Sequence, residues 1–363
     1  MTEQLSNYRI DGYIKADPQR SVATLSRTGE TLTLPPAVDL RPQCSPVENQ
    51  GQVGSCTANA VVGALEYLQI ASGGEFADLS RMFVYYNARR FLGWEEHDGG
   101  ADMHHVVAAL LAYGVVPESM WPYDEHRWKL KPDETLYQGA VRFPGLHYAR
   151  VSKTDERKYV LATGLPIILG MGVPPELFRQ GGRENYMPAP ANGDWEQPRG
   201  GHAMLIVGYD DAHRVWIVRN SWGPDWGDNG HVYIDYDVID HYATANDFWT
   251  IGPLDRNRFF TLNGPSAEDM HIQTVKAAPA SVQASVERHK QTIRNELESA
   301  LDEARSGLRE RLRGPGAGGG YDKGPGAGGG YDKGPGAGGG YDKGPGAGGG
   351  YDKGPEAGGG YDD

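Results

Sequence analysis

The sequence predicts an α+β fold, with a mostly helical first half and a β-rich second half. Two observations carry this. Between residues 56 and 114, apolar residues recur at helical spacing in segments that end on glycine. From about residue 136 the pattern changes to short apolar runs separated by turns, which reads as strands. Helices followed by strands give the α+β class. At 363 residues, 39% of them hydrophobic, the chain can build one large or two small domains with extensions.

Residues 1–33 are polar and weakly patterned, with too few apolar residues to fold alone, so an arm or strand packed on the body is expected. Asn49-Gln50-Gly51-Gln52-Val53-Gly54-Ser55-Cys56 is a glycine-rich approach to a thiol. After it Val61, Val62, Leu65, Leu68 and Ile70 follow a helical stripe that stops at Gly73-Gly74. Cys56 is therefore expected in the first turn of a helix, where free N–H groups and the macrodipole favour the thiolate. Leu79 to Asn87 suggests a second helix. Asp102 is placed to cap a third, running through Leu110 and Leu111 to Gly114. His97, Asp98, His104 and His105 lie close in sequence but show no matched ligand spacing, so no metal is expected. In the second half Leu165–Val173, Gly201–Gly208, Arg214–Arg219 and Gly230–Tyr236 read as strands, with Asp210 to His213 as a hairpin connection. A polar, proline-bearing loop spans Arg179–Arg199.

Composition narrows the function. A net charge of −13 argues against nucleic acid or anionic membrane surfaces as partners. No run of 18 apolar residues is present, so no membrane span is expected. The N-terminus carries no basic and apolar leader. Two cysteines, Cys44 and Cys56, cannot make a disulfide framework, which fits a reducing, cytoplasmic location, with export by another route left open. Cys44 is expected as a reduced, partly buried thiol.

A lone cysteine is usually a small buried hydrophobe. Two later segments change that reading: Gly200-Gly201-His202-Ala203-Met204 at the start of a strand, and Asn220-Ser221-Trp222-Gly223 with Trp226-Gly227-Asp228-Asn229-Gly230 after it. Together with Gln50 and Cys56, six residues apart, these segments resemble the papain family of cysteine peptidases over about residues 34–263. The chain departs from the family pattern at Val53, where a cysteine is usual, and at Thr57, where a tryptophan is usual.

The resemblance implies a two-lobed fold, with a helical left lobe over about 34–135 and a β-barrel-like right lobe over about 136–263. Cys56 and His202 would face each other across a cleft. It implies a catalytic set of Cys56 as nucleophile, His202 as base, Asn220 orienting the imidazole, and Gln50 donating to the oxyanion. It places Gly99, Gly100, Gly201 and Trp222 in substrate binding, the paired glycines admitting an extended backbone and Trp222 covering the Asn220–His202 bond. The implied reaction is peptide hydrolysis through an acyl-enzyme, with a polypeptide substrate and no cofactor. A transpeptidase or peptide ligase would use the same residues. An inactive scaffold displaying the tail is a third reading, against which the intact set of four argues. Against this family, residues 1–33 are a structural arm or a short pro-segment.

Residues 264–313 read as a linker and an amphipathic helix. Val282, Val286, His289, Ile293 and Leu297 form a stripe that either packs on the body or self-associates through 282–312. From Gly314 the decapeptide Gly-Pro-Gly-Ala-Gly-Gly-Gly-Tyr-Asp-Lys repeats, with an altered fifth copy from Gly354. Such composition cannot bury a core, so a disordered tail over 314–363 is expected, its partner unknown.

Overall fold

A computed structural model describes residues 8–15, 17, 19–27, 33–143, 146–177, 185–253 and 260–313, with side chains described to residue 307. The repeats at 314–363 lie outside the described residues, as does part of the proline-bearing loop.

The helical half holds α1 (Cys56–Ala71), α2 (Arg81–Leu92) and α3 (Met103–Tyr113), with a short α4 (Glu134–Gln138) after them. Their starts follow from capping chemistry. The Ser80 hydroxyl accepts from the Phe83 N–H to begin α2, and the Asp102 carboxylate accepts from the His105 N–H to begin α3. Gly93, at φ 71°, closes α2 in the left-handed region. α1 is buried along most of its length, from Cys56 to Tyr67. Its burial explains why its apolar residues are not confined to one face.

The β half is a ten-stranded mixed sheet. Its strands are β1 (Thr24–Arg27), β2 (Ala37–Asp39), β3 (His147–Arg150), β4 (Ile167–Gly172), β5 (Tyr186–Met187), β6 (Gly201–Asp210), β7 (Val215–Arg219), β8 (His231–Asp235), β9 (Phe248–Gly252) and β10 (Phe260–Asn263). The order is β10-β1-β3-β9-β4-β6-β7-β8-β5, with β2 on β6. Helices α5 (Thr154–Ala162) and α6 (Tyr236–Tyr242) accompany it. β4 and β6 pair antiparallel with His202 opposite Met171 and Ala203 opposite Gly170. Both strands are buried almost throughout, and α1 packs on β6. The thiol-bearing helix and the histidine-bearing strand are thereby set against each other by the core.

β1, in the N-terminal extension, enters the sheet between β3 and β10, because its backbone finds partners on both sides. Two features depart from the sequence reading. β2, numbered within the helical half, pairs with β6. The expected linker after residue 263 is mostly helix. α7 (Ala267–Ala277) starts on a Ser266/Asp269 capping box, packs on α3, and leads into α8 (Ala280–Arg313). Val282 and Val286 of α8 are buried, and His289 packs on the rings of Tyr113 and Tyr137. The first third of the helical stripe is therefore spent on the body. Leu297 and Leu301 stay exposed. The compact unit runs to Arg305, and the remaining described residues complete α8. Among the described residues no helix is long and apolar enough to cross a membrane.

Candidate active site

Cys56 is the first residue of α1 and is fully buried. The turn before it is held from the other wall. Asn49 bridges Trp222, and the Gln50 N–H donates to the Ser221 carbonyl at 2.8 Å. The Gln50 side chain is locked at both ends: its Nε2 donates to the Val53 carbonyl at 2.9 Å and its Oε1 accepts from the Ser221 hydroxyl at 2.5 Å. Gly51, at φ 53°, supplies the left-handed residue this turn needs. Tyr123 ties the same turn down, donating to the Gln50 carbonyl at 2.8 Å and sharing a hydrogen bond with Ser55 at 2.6 Å.

His202 is the second residue of β6 and is also fully buried. Its Nε2 lies 2.8 Å from Asn220 Oδ1. That oxygen also accepts the Ser221 N–H at 2.8 Å, which fixes which end of the amide faces the ring. Nε2 must then carry the proton and donate it. Nδ1 is left with a lone pair and, among the described residues, no hydrogen-bond partner. Trp222 stacks on the imidazole at 4.9 Å, with Trp226 edge-on behind it at 5.2 Å. The Cys56 thiol lies beside the backbone of Ala203, the next residue after His202.

Residues 8–14 of the N-terminal extension run through this site. Gly12 lies against the thiol: a Cβ there would sit 2.6 Å from the Gly54 carbonyl oxygen and 2.9 Å from Cys56 Sγ. The Gly12 carbonyl accepts from the Ala101 N–H at 3.1 Å, the Tyr13 N–H donates to the Gly201 carbonyl at 3.2 Å, and the Ile14 N–H donates to the Ala101 carbonyl at 3.2 Å. The pairings with Ala101 and Gly201 are both parallel. Tyr8 stacks on Trp222 at 4.7 Å, and Arg9 donates to the Asp98 carbonyl at 2.9 Å. The Tyr13 hydroxyl reaches Asp247 at 2.5 Å. We call residues 8–14 the strap.

Covering changes the electrostatics. Burial pushes the Cys56 thiol up to about 12, against the smaller lowering effects of the Ala203 and Thr57 hydrogen bonds. Burial likewise pushes His202 down to about 4, against its bond to Asn220. The sequence expectation of a thiol lowered by its helix start is thus reversed in this covered state. Desolvation outweighs the hydrogen bonds to the thiol, and both groups are held neutral.

Each residue singled out in the sequence has a place here. Gln50, Cys56, His202, Asn220 and Trp222 come together. Gly100 and Gly201 flank the strap, and both need to be glycine. A Cβ on Gly100 would meet the Gly12 carbonyl oxygen at 2.2 Å, and one on Gly201 would meet the Tyr13 carbonyl oxygen at 2.6 Å. The wall hydrogen bonds are made by Ala101, one residue past the glycine pair. The Gly100 N–H instead donates to the Tyr85 hydroxyl, and a Cβ on Gly99 would meet the His97 ring. Asp98, considered for a metal, takes the Gly54 N–H, the Tyr85 hydroxyl and Arg9. His104 is buried against Trp249, and His105 pairs with Asp102. Among the described residues no group of three or more metal-ligating side chains occurs. Cys44 and Cys56 are both free thiols.

Sequence reasoning missed Tyr8, Gly12, Tyr13, Asp247 and Gly170. The signal was present only as Asp11-Gly12-Tyr13, a short glycine-aromatic step inside a polar segment.

Comparison with known proteins places the chain in a family. Residues 34–250 match the family model described as papain family cysteine protease. An uncharacterized peptidase C1-like protein of Acanthamoeba polyphaga mimivirus is 31% identical over 268 residues, covering 66% of this chain and 86% of that protein. Pro-cathepsin H of Bos taurus is 28% identical, covering 61% of this chain and 67% of the relative. Among solved structures, xylellain, a cysteine protease from Xylella fastidiosa, superposes with a TM-score of 0.58 at 32% identity, covering 67% of this chain and 97% of its own.

Proposed function

Because this chain belongs to the papain family of cysteine proteases, we propose that it hydrolyses peptide bonds with Cys56 as nucleophile and His202 as base, and that its own strap holds the cleft shut until displaced. The observation that carries the first part is the His202 tautomer: Asn220 Oδ1 accepts the Nε2–H hydrogen bond, leaving Nδ1 with its lone pair as the free base. Nδ1 takes the thiol proton as sulfur attacks the substrate carbonyl, and returns it to the leaving amine as the C–N bond breaks. Water then attacks the thioester, and the released acid leaves the thiol protonated again. The Cys56 N–H and the second N–H of the Gln50 amide would hold the oxyanion. Trp222 shields the imidazole from water.

The closed state is supported by the strap's course. Gly12 fills the space against Sγ, its carbonyl is engaged by Ala101, and both catalytic groups are buried and neutral. On this reading β1 would serve as a structural arm and the strap as a short pro-segment.

The test uses the full chain with Tyr13→Ala, which removes the strap's largest anchor. This variant should cleave a fluorogenic peptide library, and adding Cys56→Ala should abolish cleavage with the fold intact by circular dichroism. Unchanged turnover in the double variant would remove Cys56 from the mechanism. With both thiols free, millimolar dithiothreitol should preserve or raise activity, as expected for a reducing, cytoplasmic-type setting.

A further inference from the structure

The strap places Tyr13 in a pocket of the cleft wall, one residue from the glycine that faces the thiol. We infer that this pocket is a tyrosine-binding subsite for the polypeptide substrate, and that Asp247 reads the phenolic hydroxyl there. The inference rests on the peptidase reading above and names a side chain that the reading leaves open.

The pocket is shaped for a ring. Its floor is Gly170 of β4, where a Cβ would lie 2.0 Å from Tyr13 Cζ. Any other residue at position 170 would occupy the space the ring now fills. Tyr13 is 7% exposed, so the pocket encloses the side chain. Enclosure of that kind favours a flat aromatic over a small or β-branched residue.

The far end of the pocket is polar and built to stay so. Asp247 is 1% exposed. Its Oδ2 accepts from the Thr244 N–H at 2.8 Å and the Thr244 hydroxyl at 2.7 Å. Its backbone carbonyl accepts the Gly170 N–H at 2.8 Å, which joins floor and end wall. Oδ1 is thereby aimed into the pocket, and the donor it receives is the Tyr13 hydroxyl at 2.5 Å. A buried carboxylate oxygen without a donor is costly. Phenylalanine would fill the same volume and leave Oδ1 unsatisfied, so the pocket separates the two by one hydroxyl. Lysine or arginine would also satisfy a carboxylate. Arg150 lies within electrostatic reach of both Asp247 and Tyr13, and disfavours a second cation. A neutral donor on an aromatic ring suits all three neighbours.

The chain's own repeats carry the same Gly-Tyr step, as Gly-Gly-Gly-Tyr-Asp-Lys, which supplies a ready probe. In the full chain with Tyr13→Ala, Cys56 alkylation by iodoacetamide is followed by mass spectrometry, with synthetic Gly-Gly-Gly-Tyr-Asp-Lys or its phenylalanine counterpart present. The tyrosine peptide should protect Cys56 at roughly tenfold lower concentration, the size of one hydrogen bond to a charged acceptor. Equal protection by the two peptides overturns the inference. A second arm leaves the pocket in place: in the otherwise native chain, Tyr13→Phe should speed alkylation about tenfold, and an unchanged rate overturns the inference equally. Neither arm depends on turnover. A Tyr13→Ala chain that cuts no peptide, yet is protected selectively by the tyrosine peptide, would refute the peptidase reading and leave the pocket standing.

Discussion

The segments flanking the family-matching region are attached by different balances of polar and apolar contact, the strap adding the buried Tyr13 ring to a largely hydrogen-bonded course. On the N-terminal side, the strap is held by backbone hydrogen bonds to Ala101 and Gly201, by Tyr8 on Trp222, by Tyr13 in its pocket, and by Arg9 at the rim. On the C-terminal side, α7 and α8 are held by apolar burial, through Met270, Val282 and Val286. Polar, directional contacts exchange readily for water or for another chain, because the net gain per hydrogen bond is only about 1 kcal/mol. Apolar burial has no such substitute. On the proposed reading, the difference separates a displaceable cover from a permanent part of the body.

The largest expected effect breaks the permanent side. Val286→Asp puts a carboxylate where the side chain is 1% exposed. Lost transfer energy plus a buried, unpaired acid should cost roughly 4 kcal/mol, read as a lower urea midpoint. Cys56 alkylation under native conditions should hardly change, because α8 contributes nothing to the cleft. Next comes the removable side. Gly12→Val drives a branched side chain into the Gly54 carbonyl and Cys56 Sγ. Expelling the strap should raise the Cys56 alkylation rate roughly 100-fold, equivalent to about 2.7 kcal/mol, with a smaller shift in the urea midpoint than Val286→Asp gives. If Gly12→Val instead lowered stability as much as Val286→Asp, the two flanks would be the same kind of structure.

The residues proposed as catalytic could be picked out in the sequence because they sit at fixed steps along regular elements. Cys56 starts a helix, His202 starts a strand, and Asn220 follows one strand and precedes a turn rich in glycine and tryptophan. The strap was not legible, because it has no periodicity: its backbone pairs with parts of the chain far away in sequence, and its side chains seat in pockets formed by other elements. Asp247 lay unseen for the same reason, being joined to Gly170 only through the sheet. Helical periodicity in residues 282–297 was readable, yet it could not tell packing on Tyr113 and Tyr137 from self-association. The expectation of a lowered thiol pKa is reversed by the full burial of Cys56, which the sequence did not show.

A smaller effect comes from pH. Burial pushes His202 down to about 4 in the closed state, below the ordinary value of about 6.5. A group depressed in the closed state binds fewer protons there. The closed state is therefore fully favoured above about pH 6.5 and loses ground as pH falls toward 4. Amide exchange at the Ala101 N–H, corrected for intrinsic rates, should lose protection across that window, by at most about 80-fold where release returns His202 to its ordinary value. His104 and His271 are also pushed down by burial, to about 3 and about 4, so global stability should fall in the same direction. Faster loss at Ala101 than at core amides of α1 would mark the strap as the weaker unit, and parallel loss would merge it with the body.

The smallest effect tests whether charge helps to hold the strap. Arg9 donates to the Asp98 carbonyl and lies 3.4 Å from Asp98 Oδ2, and its side chain is 31% exposed. Exposed ion pairs contribute only about 0.2–1 kcal/mol. Arg9→Ala should then speed Cys56 alkylation about threefold, far less than Gly12→Val. Because the pair faces water at the rim, the native chain in 0.5 M sodium chloride should approach the rate of the variant, where the Debye length falls to about 4 Å. The variant itself should respond little to salt. A salt response equal in both chains would assign the dependence to the net charge of −13 instead of to Arg9, and would leave the strap held by its backbone and its two tyrosines.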